Sequence, residues 1–164
     1  MTRALDDVEV VYHLAAVISV AGPMSGLVDS VNIDGVRATA RAALAAGVGR
    51  FVHCSSVHAY DLMSCGGRIV NEESPRSVDP RVPAYDRSKA AGEAALREVV
   101  DDGLAATIIN PTGVVGPMDP GPSRMGVVLR ATAAGHLPAS IQGSFDWVDV
   151  RDVVAALIAA SQRG

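Results

Sequence analysis

At 164 residues, 49% of them apolar, the chain is long enough to bury a core as one domain, and a formal net charge of -4 without any concentration of Lys or Arg excludes a nucleic-acid binder. No window approaches the roughly 20 uninterrupted apolar residues of a membrane span, and the start Met-Thr-Arg-Ala-Leu-Asp-Asp lacks the layout of a signal peptide, so no membrane partner and a cytoplasmic location are expected. Cys54 and Cys65 are too few for a disulfide framework and, like His13, His53 and His136, have no metal-ligand spacing, so no metal is expected.

Val8 to Leu14 is apolar and β-branched, as in a strand covered on both faces. The alanine-rich stretch from Ser30 to Ala46 predicts a helix, with Ser30 or Asp34 as cap and Gly47 as stop. Arg50 to Ser55 is the next predicted strand. Val57 to Pro83, rich in Gly, Pro, Ser and charge, predicts one long loop of the kind that usually carries function. Pro83 then opens a helix to about Asp102, Gly103 ends it, and Leu104 to Ile109 is a third strand. Asn110 to Ser123, punctuated by prolines and glycines, predicts a loop. Met125 to Ala134 and Val150 to Ser161 predict helices, with a short extended piece from Phe145 to Val148. Strands alternating with helices imply an α/β fold with a parallel sheet and right-handed crossovers.

The chemistry concentrates in Tyr85-Asp-Arg-Ser-Lys89. Residues four apart share a helix face, so a phenol and an ammonium can reach one reacting centre. A phenol titrates near ~10, and a neighbouring cation favours the phenolate, bringing it toward acid and base work at neutral pH. The spacing alone also fits an ordinary helix face. Lys89 is, however, the only lysine, against thirteen arginines, and Ser55 and Ser56 close the preceding strand. Taken simply as residues, those serines are strand-end caps or hydroxyls aimed at a substrate oxygen.

His13-Leu-Ala-Ala16 follows Val8-Glu-Val-Val-Tyr12, Asn32 opens the alanine-rich helix, and Asn110-Pro-Thr-Gly-Val-Val-Gly-Pro117 and Trp147-Val-Asp-Val-Arg-Asp-Val-Val154 come later. In this order, with Ser55-Ser56 and Tyr85 to Lys89 between them, the segments resemble the extended short-chain dehydrogenase/reductase superfamily, its NAD-dependent epimerase/dehydratase group, and within it a bacterial dihydroflavonol 4-reductase-like branch. The resemblance covers nearly the whole chain. It implies a partial Rossmann-like, doubly wound parallel sheet forming one domain over residues 1–164, with 118–148 contributing to the start of the substrate region.

The resemblance also implies roles. Tyr85 is the expected proton donor or acceptor, Lys89 holds the nicotinamide ribose and depresses the Tyr85 pKa, and Ser56 bonds the substrate oxygen, with Ser55 as the neighbour to test as its substitute. Leu14, Ala15 and Ala16 let a cofactor pass close to backbone, although small residues there also suit a tight core. Asn32 is a residue near the cofactor or a helix cap. Pro111 and Thr112 flank the nicotinamide. His58, Tyr60 and Asn110 face the substrate, Asn110 standing where many relatives have arginine. Arg124, with Arg130, meets a substrate anion or belongs to a solvated helix face. The cofactor is NAD or NADP, the partner is a small molecule, and a homodimer formed through the Tyr85 helix is expected.

Folds of this type begin with a strand, a glycine-rich turn and a helix facing the pyrophosphate. Nothing before Val8 supplies that unit, so the expectation is an internal fragment that also lacks most of the family's substrate lobe, with an uncovered edge beside the Val8 strand and weak or no NAD(P) binding of its own. Ketone reduction or its reverse, nucleotide-sugar epimerisation or dehydration with retained NAD, a non-catalytic dinucleotide-binding module and an inactive truncated product all remain compatible with these residues.

Overall fold

The computed structural model describes residues 4–19, 22–121, 123–136 and 145–163. Three short strands, β1 (Val10–His13), β2 (Arg50–Cys54) and β3 (Ala106–Ile109), form a parallel sheet in the order β1-β2-β3, with Val11 opposite Phe51 and Phe51 opposite Ala106. All three strand C-termini therefore lie along one edge, where open α/β sheets bind ligands.

The crossover from β1 to β2 is a nearly continuous helix: α1 (Leu27–Asp29), a π-helical stretch (Ser30–Asp34) and α2 (Gly35–Ala45). It begins earlier than its alanine pattern predicts and runs through Ser30 and Asp34, so neither is its N-terminal cap. Gly47, with φ of 71°, ends it in the left-handed conformation. The crossover from β2 to β3 carries a one-turn helix α3 (Leu62–Cys65) and the long α4 (Ala84–Asp101). The segment expected to be one long loop is thus partly ordered, and an isolated bridge joins Tyr60 to Arg76.

Residue alternation on β2 separates two cores. Phe51 meets Val36, Ala40 and Ala43 of α2 and Leu96 and Val99 of α4 on one face, all essentially fully buried. Val52 meets Val153 and Leu157 of α6 (Val150–Arg163) on the other. Each enclosed large side chain stabilises the fold by about 1.5–3 kcal/mol.

Helix α4 approaches the π-helical stretch closely because Gly92 has no side chain. A Cβ there would lie 2.2 Å from the Asn32 carbonyl oxygen. The segment after β3, expected as a loop, instead contains β4 (Gly113–Val115), which pairs in parallel with β5 (Trp147–Asp149) as a second sheet. Gly113 makes room for this, since a Cβ would lie 2.5 Å from the Phe145 ring. Helix α5 (Arg124–Ala133) starts one residue before the expected Met125, because the Ser123 hydroxyl accepts from the Gly126 N–H at 3.0 Å. Among the described residues no helix is long and apolar enough to cross a membrane, and no group of three or more His, Cys, Asp or Glu is placed to hold a metal.

Candidate active site

Ser55 and Ser56 follow β2 directly, and backbone pairing with the β3 side continues past the strand: Ser55 N–H donates to Ile109 O at 2.8 Å and Val57 N–H to Pro111 O at 3.0 Å. Ser56 then turns the chain, its hydroxyl accepting from His58 N–H at 3.2 Å and its carbonyl from Ala59 N–H at 3.0 Å. That leaves the Ser56 hydroxyl proton free for another oxygen. Tyr85 and Lys89 come from the first turns of α4, and the Lys89 ammonium stands 5.9 Å from the Tyr85 ring centre.

Burial pushes the Tyr85 phenol above its ordinary range, and the Ser56 hydroxyl beside it acts in the opposite direction. The expected depression by Lys89 is therefore not what this structure shows: the phenol is raised, chiefly by desolvation, with Asp86 and Cys54 acting in the same direction. Burial also pulls Lys89 down, while Cys54 and Glu93 pull it back up.

Lys89 is only 4% exposed and its ammonium has no hydrogen-bond or ion-pair partner among the described residues, while the buried Ser55 hydroxyl and His58 Nδ1 make no hydrogen bond. Buried donors normally find acceptors. Leu14, Ala15 and Ala16 lie exposed just beyond β1, leaving the backbone there open. An ammonium with three donors, a spare hydroxyl and an uncovered stretch of small residues on one sheet edge fit the ribose and phosphates of a dinucleotide.

On the substrate side, a cavity of about 710 Å³ is lined by His58, Tyr60, Ile69, Ile109, Asn110 and Thr112, among others. Tyr60 is buried beneath the Arg76 guanidinium, which sits 4.1 Å above its ring. His58 joins the cavity to Tyr85, packing edge-on to it at 5.8 Å with its Nδ1 3.3 Å from the Asp86 carboxylate. Pro111 and Thr112 are half-buried at the end of β3.

Asn32 is neither a cap nor exposed to a ligand. It is 3% exposed, its amide oxygen accepts from Val17 N–H at 2.8 Å, and its NH2 donates to Val17 O and to Ser88 Oγ, both at 2.9 Å. It ties the segment after β1 to α4 immediately before Lys89. Asn110 is likewise committed, donating to the Ser56 carbonyl at 2.9 Å and to Glu93 at 2.6 Å, so only its amide oxygen is left for a ligand. Arg124 opens α5, but its side chain lies outside the described residues; Arg130 is exposed and donates to the Asp119 carbonyl at 3.0 Å.

Sequence reasoning missed three features. Glu93, one turn beyond Lys89, is fully buried, and the repeat of four from Tyr85 to Lys89 to Glu93 was the available signal. Gly92 is the close-approach point already described. His13 and His53, scattered in sequence, share a hydrogen between their Nδ1 atoms at 3.2 Å, and burial, with Lys89 and His13 adding to it, holds His53 down to about 3.

A protein of Methylococcus capsulatus named sterol demethylase protein B is 39% identical over 164 residues, covering 98% of this chain and 48% of its own length. The chain thus spans about half the length of the curated relatives it matches. The crystal structure of gox2253 superposes with a TM-score of 0.87 at 34% identity, over 100% of this chain and 50% of that one. MoeE5, solved with UDP-glucose and NAD, superposes with a TM-score of 0.76 at 26% identity, over 99% of this chain and 55% of that one. The family model for the NAD dependent epimerase/dehydratase family matches residues 1–164, and this chain belongs to that family.

Proposed function

We propose that the protein carrying this chain is an NAD(P)-dependent oxidoreductase that reduces a ketone, or oxidises the corresponding CH–OH group, of a small molecule. The observation that supports this most is the convergence of Ser56, Tyr85 and Lys89: the Ser56 hydroxyl lies beside the Tyr85 phenol and the buried Lys89 ammonium stands 5.9 Å from its ring, while the cavity begins at Val57 and His58, the latter packed on Tyr85. A nicotinamide cofactor, when bound, would supply or accept the hydride, with Lys89 and the backbone beyond β1 as the groups that would hold its ribose and phosphates. The chain's own residues handle the proton. Tyr85, held protonated by its burial, donates to the oxygen as negative charge develops there. The free Ser56 hydroxyl proton points to the same oxygen, and Lys89 offers donors to the ribose while its charge favours the phenolate left behind.

The cavity lining supports a ketone over a nucleotide sugar. It is mostly apolar, and its charged groups among the described residues are Glu72 and Asp146, both acidic. A diphosphate is repelled by such a lining, whereas an uncharged carbonyl compound is not. Epimerisation with retained NAD remains the second reading, because MoeE5 was solved with a nucleotide sugar and NAD.

The test offers the purified protein NADH or NADPH with uncharged apolar ketones and, separately, nucleotide sugars. Oxidation of the reduced nicotinamide with a ketone, abolished in Tyr85→Phe, is the expected result. Unchanged turnover in Tyr85→Phe would remove the proposed mechanism, and sugar epimerisation without net cofactor consumption would move the assignment to the second reading.

A further inference from the structure

The fully buried carboxylate of Glu93 is more heavily engaged than any other acidic group near the site. Its Oε2 accepts from Arg76 at 2.7 Å and from Arg97 at 3.0 Å, and its Oε1 accepts from Asn110 at 2.6 Å. A carboxylate without exposure is tolerated only when its acceptor sites are filled in this way. Two of the three partners lead elsewhere. Arg76 belongs to the far end of the segment after β2, where Asp61 N–H donates to Pro75 O at 2.8 Å and Ser77 N–H to Ala59 O at 3.0 Å, and its guanidinium covers Tyr60. Residues between these clamps, Leu62, Ile69 and Glu72 among them, form one wall of the cavity. Asn110 leads to Ser56: an amide NH2 has two protons, and here one goes to Glu93 and the other to the Ser56 carbonyl.

We propose that Glu93 is a positioning residue that couples the wall of the substrate cavity to Ser56 through Arg76 on one carboxylate oxygen and Asn110 on the other. Displacing Arg76 frees the carboxylate to turn, Asn110 follows it, and the Ser56–Val57 peptide loses one of its fixed points. Arg97 is the internal contrast. It bonds the same Oε2, but it is roughly half-exposed on α4 and leads to no other part of the site. The catalytic meaning of this coupling rests on the role proposed above for Ser56; the coupling itself does not.

The test is residue-resolved amide hydrogen exchange on the protein with Arg76→Met and Arg97→Met. The Val57 N–H, bonded to Pro111 O, reports on the Ser56–Val57 peptide. Arg76→Met is expected to speed its exchange about tenfold, the size of effect that follows loss of a hydrogen bond to a charged group, and Arg97→Met to leave it within about twofold. Exchange confined to the 59–61 and 75–77 clamps in Arg76→Met, or an equal response to both variants, would overturn the coupling. Arg76→Lys, which keeps the charge but loses the planar fork, is the milder variant where Arg76→Met unfolds, and an effect at Val57 of about threefold is expected, with no effect there overturning the coupling. In turnover, Asn110→Ala is expected to lower kcat with little change in KM, whereas Arg76→Met changes both. Exchange that responds while the unaltered protein turns over no ketone would leave the coupling standing and defeat the proposed function; altered turnover with unaltered exchange would do the reverse.

Discussion

The two faces of the three-stranded sheet are filled in different ways. On one, Phe51 is enclosed by α2 and α4, and the same face continues toward the strand C-termini as His13, His53 and Lys89, all buried. On the other, Val52 meets Val153 and Leu157 of α6 with Val148 of β5 packed against them, and Val154 and Ile158 of that helix remain 48% and 47% exposed. Helix α4 itself repeats the first pattern along its length: Tyr85, Lys89 and Glu93 come first, Leu96 and Val99 after. The face on which the candidate site residues lie is therefore also the one that holds the fold together. Polar groups can be buried near the strand ends because the apolar end of the same layer is fully packed.

The strongest way to break this comparison is through its polar end. Tyr85→Phe is expected to lower turnover by about 10²- to 10⁴-fold while leaving thermal stability nearly unchanged, as steady-state rates and calorimetry would reveal. A large loss of stability instead would make Tyr85 part of the packing. At the apolar end, Phe51→Ala is expected to cost about 3–5 kcal/mol in denaturant unfolding, and Val153→Ala on the opposite face only about 1–2 kcal/mol. Equal costs would erase the difference between the faces.

Gly92→Ala lies between those values. The added methyl meets the Asn32 carbonyl at the crossing of α4 with the π-helical stretch, and overpacking of that kind costs about 1–3 kcal/mol. Because Asn32 bonds Ser88, displacement there should also raise the KM for cofactor, which a titration of initial rates against NAD(P)H measures.

A further effect is one of pH. His53 is held from its ordinary value of 6.5 down to about 3, chiefly by burial, so between those values the unfolded chain binds a proton that the folded chain refuses. Stability is then complete above about pH 6.5 and falls as pH drops toward 3, by up to about 1.4 kcal/mol per pH unit from this group. Unfolding midpoints measured across that range should show the slope, and His53→Leu should flatten it.

Much of the site was legible in the residues alone, for a definite reason. Ser56 stands just beyond the apolar run from Arg50 to Cys54, and Tyr85 and Lys89 are one turn apart on a helix opened by Pro83, so local periodicity brings them to one end of the sheet. The strands and helices of the parallel sheet followed from the same patterns, to within a few residues at their ends. The pairing of β4 with β5 did not, because Gly113 reads locally as a turn residue and acquires its meaning only from the rings of Phe145 and Trp147 packed on it.

What the sequence by itself determined was the order of the elements and the placing of Tyr85 and Lys89 on one helix face, since both depend on spacing along the chain. What only the tertiary structure decided was their electrostatic state and support. Counting neighbours on one helix predicts that Lys89 lowers the Tyr85 pKa; burial by the whole fold raises it. Asn32 reads as a cap or a residue near the cofactor and Asn110 as a substrate contact; the structure adds that each spends its amide protons on distant partners. Glu93, Arg76 and Asn110, and the pair His13 and His53, meet only because the sheet and α4 bring remote segments within hydrogen-bonding distance, where desolvation makes each unpaired charge costly and each pairing specific.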